Sequence, residues 1–375
     1  MSVRVCIGIW VVALVSFAAA PLASAQSTTE PTAPDTTAPD VEPAGGDASL
    51  EERSDTLRFE PGISLLAGYE YLRRDVADVQ HSSDRFVLDR VHVSLRAARG
   101  ELEARLLLEA VPSANEGALI GVAGASLLMR LREAWFGYAP VAGLSFQAGV
   151  VPTLIAPALE RQDGLRDIGR TPLEALDLEP MADLGLRARY ELPHELASLS
   201  LGAFAGDGYT AQELNDAKAM EALLTFSAGG SSAVTHPLTL TLGARRNRRG
   251  AAGTRDTRLH GALAWVAPRV GGGVGFSYLL GLEGDGARRG TLLTLHANAE
   301  PIDRLLLGAR FFRFMRDLDH ADDHWMRLEA AAGVRVVEGL KLWLVARKSW
   351  PGARTRDVVG GSDEFALRLM LAGNL

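Results

Sequence analysis

From residue 57 to the last residue, the chain runs in short stretches whose apolar and polar residues alternate one by one. The final stretch shows the rule. Phe365, Leu367, Leu369, Leu371, Gly373 and Leu375 fall on one face, and Ala366, Arg368, Met370, Ala372 and Asn374 on the other. A period of two belongs to an extended strand with one apolar face. The pattern recurs along the chain. Val91, Val93 and Leu95 oppose Arg90, His92, Ser94 and Arg96; Leu102, Ala104, Leu106 and Leu108 oppose Glu101, Glu103, Arg105 and Glu109. Leu127, Met129, Leu131 and Trp135 oppose Arg130, Arg132 and Tyr138, with Glu133 out of step on the apolar side. Leu184, Leu186, Ala188 and Tyr190 oppose Arg187 and Arg189.

Alternation alone suits a soluble sandwich as well as a barrel, and the connections separate the two. Short ones fall near 97–100, 139–143, 191–198, 266–272, 299–304 and 337–339, with 228–237 of middle length. Longer ones tend to fall between them, at 73–84, 112–126, 152–183, 207–218, 247–255, 317–324 and 349–362. Short turns on one side and long loops on the other are the habit of an outer-membrane barrel. Tyr69, Tyr71, Trp135, Tyr138, Trp265, Trp325 and Trp350 lie near predicted strand ends, as interfacial girdles require, although strands favour aromatics anyway. The reading is all-β: a transmembrane antiparallel β-barrel of about sixteen strands over 57–375. Closure satisfies every strand edge, as hydrocarbon demands, and a barrel of this size leaves an aqueous lumen.

Two segments precede the barrel. Residues 1–25 read as a signal peptide, with Arg4 before an apolar run and Ala23, Ser24 and Ala25 as a small-residue cleavage site. Residues 26–56 read as a disordered acidic linker rich in Pro and Thr. Residues 1–55 hold eight acids against Arg4 and Arg53, so the net charge of −7 leaves only −1 for the rest. Cys6 is the one cysteine and lies in the leader, so the mature chain has no disulfide. No other stretch has eighteen consecutive apolar residues, which leaves no helical span. The expected location is the outer membrane of a Gram-negative bacterium.

Lys218, Lys341 and Lys348 are the only lysines among 39 basic residues. The arginines are spread along strands rather than clustered, which argues against a nucleic-acid partner. Catalysis finds no constellation: His92 and Ser94 share a face but no third partner is marked. The run Asp317, Asp319, His320, Asp322, Asp323 and His324 meets no fixed metal-ligand spacing and reads as an acidic loop tip. Gly271, Gly272, Gly273 and Gly275 are followed by no helix pattern and read as a tight turn and a smooth strand face. No cofactor, metal or catalytic residue is expected.

The runs DRFVLDRVHVSLRAARGELEARLLLEA, LLMRLREAWFGYAPVAGLSFQAGVVP and MADLGLRARYELPHELASLSLGAFAGDGYTAQELNDAKAM resemble bacterial phosphate-selective porins of the O and P type, over residues 59–226. Gly206, Gly208, Asn215 and Lys218 match the Gly-x-Gly, Asp/Asn and Lys of that family. The resemblance implies a sixteen-stranded, usually trimeric channel whose third long loop folds into the pore while basic side chains guide anions. Here that loop is also the longest, and carries Arg161, Arg166 and Arg170 among Glu160, Asp163, Asp167, Glu174, Asp177 and Glu179. Two departures stand out: the family's phosphate site uses lysines, and barrel chains usually end in Phe or Trp rather than Leu375.

Arg90, Arg96, Arg105, Arg130, Arg132, Arg187 and Arg189, with Arg161, Arg166 and Arg170, are the candidate pore-lining residues. Unpaired, they would concentrate anions in the lumen. Paired with Glu101, Glu103, Glu109 and the loop acids, they would leave a weakly selective pore. The expected function is passive diffusion of small hydrophilic solutes, with a phosphate-like anion preference, through a homotrimer in outer-membrane lipid. The alternative is a structural or adhesive barrel whose linker tethers a periplasmic partner.

Overall fold

The computed structural model describes residues 55–375 apart from 77–78, 113–126, 194–195, 211–215, 229–237, 250–252, 268, 283–286 and 360–361. The signal peptide, the linker up to residue 54 and Asn215 lie outside the described residues. The sixteen strands are β1 (Arg58–Val76), β2 (Val79–Arg99), β3 (Leu102–Pro112), β4 (Leu127–Val141), β5 (Leu144–Pro152), β6 (Ala182–Glu191), β7 (Ala197–Phe204), β8 (Ala219–Ala228), β9 (Leu238–Arg249), β10 (Thr254–Val266), β11 (Val270–Leu280), β12 (Arg289–Ala299), β13 (Leu305–Met315), β14 (His324–Val337), β15 (Leu340–Pro351) and β16 (Asp363–Asn374). Each pairs antiparallel with its sequence neighbours, and β1 pairs with β16, so the sheet closes into a barrel.

Alternation decides which side chains meet lipid. On β16, Phe365, Leu367, Leu369 and Leu371 are exposed, while Ala366, Arg368, Met370 and Ala372 are buried. The other strands repeat this, so the outer wall is an apolar band that only hydrocarbon can cover without cost. On β10 the exposed apolar residues run from Leu259 to Trp265, with Arg255 beyond them toward the long loop. The span from Arg255 to Trp265, at about 3.3 Å per residue and a tilt near 40°, is about 25 Å. Tyr138, Tyr190, Phe226 and Trp265 lie exposed beside the short turns, as an aromatic girdle would.

The connections keep the predicted parity, and the structure changes three details. The 73–84 region is not a loop: β1 and β2 stay paired out to Val76 and Val79, as a hairpin rising past the end of β3. A long-side connection at 281–288 joins β11 to β12 where the pattern had marked none. In β4 a bulge falls at Arg132, since Leu107 pairs with Glu133 and Leu108 with Leu131. One extra residue flips the faces beyond it. Trp135 is therefore turned inward and buried, Tyr138 faces outward, and Glu133 belongs to the inner face. Trp325 also turns inward, packing against an interior cluster.

The third long connection folds inside. It carries α1 (Ile155–Asp163), a 3-10 turn (Arg166–Ile168) and the short α2 (Pro172–Ala175); a further helix, α3 (Ala353–Val359), lies in the last loop. Helix α1 stops at Gly164, whose φ of +63° suits a residue without a Cβ. Thr171 caps α2 by accepting from the Glu174 N–H, with Pro172 as its first residue.

Candidate functional site

The inward-folded loop is seated on apolar patches that interrupt the polar inner face. Leu154, Ile155 and Ala158 pack with Trp135, Val151, Phe204 and Leu223. Leu165 and Ile168 meet Leu66, Ala331, Trp343, Val345 and Met370. Leu173 and Leu178 meet Leu279, Leu292, Phe312 and Phe314. The loop therefore covers the inner wall from β8 round to β1.

Its acids are tied to cations of the same wall. Glu179 lies 2.8 Å from Arg245, 3.1 Å from Arg258 and 3.2 Å from His260. Burial alone would raise the Glu179 carboxyl, but Arg258 and Arg245 hold it well below the usual carboxylate range. Asp163 meets Arg310 at 2.7 Å, and Arg310 also grips Glu329 at 2.6 Å and donates to the Arg170 carbonyl at 2.8 Å. Asp167 meets Lys341 at 2.8 Å. At the base of the loop the Thr153 hydroxyl donates to the Pro180 carbonyl at 2.6 Å, and the Leu154 N–H to Glu221 at 2.8 Å. Gly206, at φ +112°, donates its N–H to Asp183 while its carbonyl accepts from Arg245 and Asn247. A side chain at Gly206 would run into Asn247, and one at Gly208 into Pro180. Gly208 thus serves the close approach of the fourth loop to the third, and Gly206 its approach to β9.

The ten candidate arginines divide by their surroundings. Arg132 is 3% exposed and pairs with Glu109 at 3.1 Å, beside His92 at 3.2 Å. Arg130 reaches Glu109 at 2.8 Å and lies over the Tyr209 ring at 5.0 Å. Tyr209 donates to Glu109 at 2.9 Å; burial pushes its phenol up to about 12, so it stays a donor. Arg90 is buried near Glu160 and Glu174, at 3.9 and 4.0 Å, and Arg166 holds Glu160 at 2.9 Å. Arg96 pairs with Glu103 at 2.6 Å, Arg105 approaches Glu133 at 3.5 Å, and Arg189 meets Glu191 at 3.1 Å. Arg170 is exposed.

Arg161 and Arg187 stand apart. Among the described residues no carboxylate lies within ion-pair distance of either, and the Arg187 guanidinium reaches only the Pro152 carbonyl, at 3.4 Å. Arg161 projects from α1 into the electrostatic range of Arg187 and Arg189 on β6. Enclosure in the barrel, then the charge of Arg189, lower the Arg161 guanidinium, yet its side chain is exposed. The solvent it meets is inside the barrel. Arg96, Glu103 and Arg189 also keep side-chain exposures of 28%, 22% and 22%. The solvent-accessible part of the interior is thus bordered by α1 and by β2–β6.

The sequence did not single out Arg258, Arg310 or Lys341 as anchors for the loop. The available signal was the excess of acids in 152–180, which an enclosed loop can keep only beside cations. In the acidic tip, Asp317 accepts from the Asp319 N–H at 3.0 Å and Asp323 holds the Thr355 hydroxyl at 2.9 Å, both within the loops.

No family model matches the chain, and no curated protein does. Solved structures share its fold. The anion-selective porin from Comamonas acidovorans is similar with a TM-score of 0.60 at 11% identity, covering 85% of this chain and 100% of that one. Salmonella typhi OmpF gives 0.60 at 13% identity, over 86% and 98%. The trimer form of Vibrio cholerae OmpT gives 0.56 at 12% identity, over 85% and 100%. The fold is that of outer-membrane porins.

Proposed function

We propose that the chain is an outer-membrane porin that passes small hydrophilic solutes by diffusion, with a preference for anions such as phosphate, and that it works as a homotrimer. One observation carries the anion preference: Arg161 on the inward loop lies within electrostatic range of Arg187 and Arg189 on β6, and among the described residues no carboxylate lies within ion-pair distance of the first two. Like charges in a narrow, low-dielectric passage raise the local anion concentration. The loop acids oppose this less than their number suggests, since Glu179, Asp163 and Asp167 are spent on Arg245, Arg258, Arg310 and Lys341. Arg96, Arg105, Arg166 and Arg170 complete the proposed lining, and buried Arg90 and Arg132 with half-buried Arg130 brace it. The trimeric OmpT and the anion-selective porin support the reading as relatives in fold.

The test is conductance of the purified protein in planar lipid bilayers. Discrete ion-conducting steps are expected, with a reversal potential in a KCl gradient of the sign for chloride preference. Arg161→Glu with Arg187→Glu is expected to move that potential toward potassium. A membrane-inserted protein without steps would overturn the porin reading, and an unmoved potential would overturn the anion preference.

A further inference from the structure

On β10 and β11, His260 and Ser277 are direct cross-strand partners on the inner face, and both are buried. The Ser277 hydroxyl lies 2.8 Å from His260 Nδ1, and His260 Nε2 lies 3.2 Å from Glu179 Oε1 on the inward loop. Arg258 and Arg245 keep Glu179 ionised, so its oxygens only accept. In the neutral ring Nε2 therefore carries the proton, and Nδ1 is left as the acceptor for the Ser277 O–H. A serine hydroxyl on a basic ring nitrogen, with a carboxylate fixing the tautomer, is the arrangement that makes a serine nucleophilic. The sequence marked His92 and Ser94 on one strand without a third partner; here two strands and the loop supply all three.

The same serine borders a hollow between the loop and the wall. The next inward pair along β10 and β11 is Ala262 with Gly275, and these small residues leave a gap beside Ser277. Leu159, Pro172 and Leu173 line it from the loop, and the space is about 510 Å³, open solvent included. That is the size of a small-molecule pocket, and its apolar loop side suits an acyl chain of a few carbons. Thr171 borders the hollow as well. Its hydroxyl oxygen accepts the Glu174 N–H, and among the described residues its proton has no acceptor, which leaves it to donate to an oxyanion.

We propose that Ser277, His260 and Glu179 form an esterase site for short-chain acyl esters, with Ser277 as nucleophile, His260 as general base and Glu179 holding the ring. The Ser277 oxygen adds to the ester carbonyl carbon as its proton passes to His260 Nδ1. The bond to the alcohol oxygen then breaks, and the alcohol leaves with that proton. Water, deprotonated in turn by His260, attacks the acyl-serine carbonyl; the carboxylic acid departs and the proton returns to the Ser277 oxygen. This activity goes beyond solute diffusion and does not depend on the charge preference of the pore.

Purified full-length barrel in a neutral detergent is treated with a small alkyl fluorophosphonate, and the modified peptide is found by mass spectrometry; hydrolysis of p-nitrophenyl acetate and p-nitrophenyl palmitate is followed in parallel. The probe is expected to label Ser277, and the acetate to be hydrolysed at least tenfold faster than the palmitate. Ser277→Ala is expected to lose the label and the acetate hydrolysis while its bilayer conductance stays that of the native barrel. His260→Gln is expected to slow labelling of Ser277 by about 100-fold or more. A native protein left unlabelled at Ser277 would overturn the proposal whether or not either variant folds. So would acetate hydrolysis that persists at the native rate in Ser277→Ala, or labelling at the native rate in folded His260→Gln. Equal hydrolysis of the two esters would overturn the short-chain assignment. Conductance steps in the native barrel without labelling would leave the porin reading standing and remove only the esterase.

Discussion

At the scale of single residues, the register of β4 decides most. Arg132 is the extra residue of a bulge, and it turns Trp135 into the interior, 3% exposed, against Val151, Leu154, Ile155 and Phe204. The Trp135 indole donates to Glu133 at 3.2 Å, and Arg105 approaches the same carboxylate. Strict alternation assigned Trp135 to lipid and left Glu133 as a misfit, because a period-two reading has no place for an inserted residue. The two assignments predict different mutants. Trp135→Ala would cost little if the ring only faced hydrocarbon. Buried under the loop, it is expected to cost about 3–5 kcal/mol of unfolding free energy. Leu201→Ala on the outward face of β7 is expected to cost less, since lipid tails fill the space a methyl leaves. Urea unfolding of the folded barrel in detergent, read by heat-modifiable migration, checks both; a Trp135→Ala cost no larger than that of Leu201→Ala would sink the inward assignment.

At the scale of elements, the inward loop is held by charged contacts along its length, from Asp163 and Asp167 to Glu179 near its C-terminal end. Glu179 is the hub, with Arg245, Arg258 and His260 all within 3.2 Å. Removing one partner of a buried pair typically costs about 3–5 kcal/mol, because the other charge stays buried. Glu179→Ala is therefore expected to free the loop and to raise current noise and mean conductance in bilayers. Unchanged noise would mean that the apolar seats and the Asp163–Arg310 and Asp167–Lys341 pairs hold it without Glu179. The same contact sets an acid limit. The folded Glu179 titrates below its unfolded value of about 4.3, so its contribution is complete above that pH and is lost as pH falls through the lower, folded value. Conductance is expected to stay steady from pH 7 to about 5 and to become unstable only well below pH 4; instability beginning near pH 6 would point to another group. The strands were legible in the sequence because each one repeats the demand of lipid on alternate residues. The seat of the loop was not. Trp343, Val345 and Met370 sit on the inner face of strands whose outer face is apolar as well, and alternation is silent where both faces are apolar. The loop's mix of arginines and acids was visible, but which acid meets which wall cation depends on pairings across the barrel, such as Arg310 with Asp163, that sequence spacing does not encode.

At the scale of the whole molecule, the folded part is close to electrically neutral, with a net charge of about −1 over residues 56–375 by count of its charged side chains. The proposed anion preference therefore cannot come from overall charge and would have to come from arrangement. The wall from β8 round to β1 is neutralised by the loop, and toward β2–β6 Arg161 and Arg187 have no carboxylate within ion-pair distance among the described residues. A preference built from a few local charges reaches only as far as salt permits. The screening length is about 10 Å at 0.1 M ionic strength and about 3 Å at 1 M, so the field should span a narrow passage at the first and fail to span it at the second. The chloride-to-potassium permeability ratio is expected to be highest near 0.1 M KCl and to approach one near 1 M. Arg161→Ala is expected to lower the ratio at 0.1 M and to flatten its dependence on salt. Reversal potentials at fixed tenfold gradients, taken at several mean concentrations, measure this directly. A ratio that stays constant across the salt range would assign selectivity to size or to direct coordination of the anion rather than to the field of these arginines.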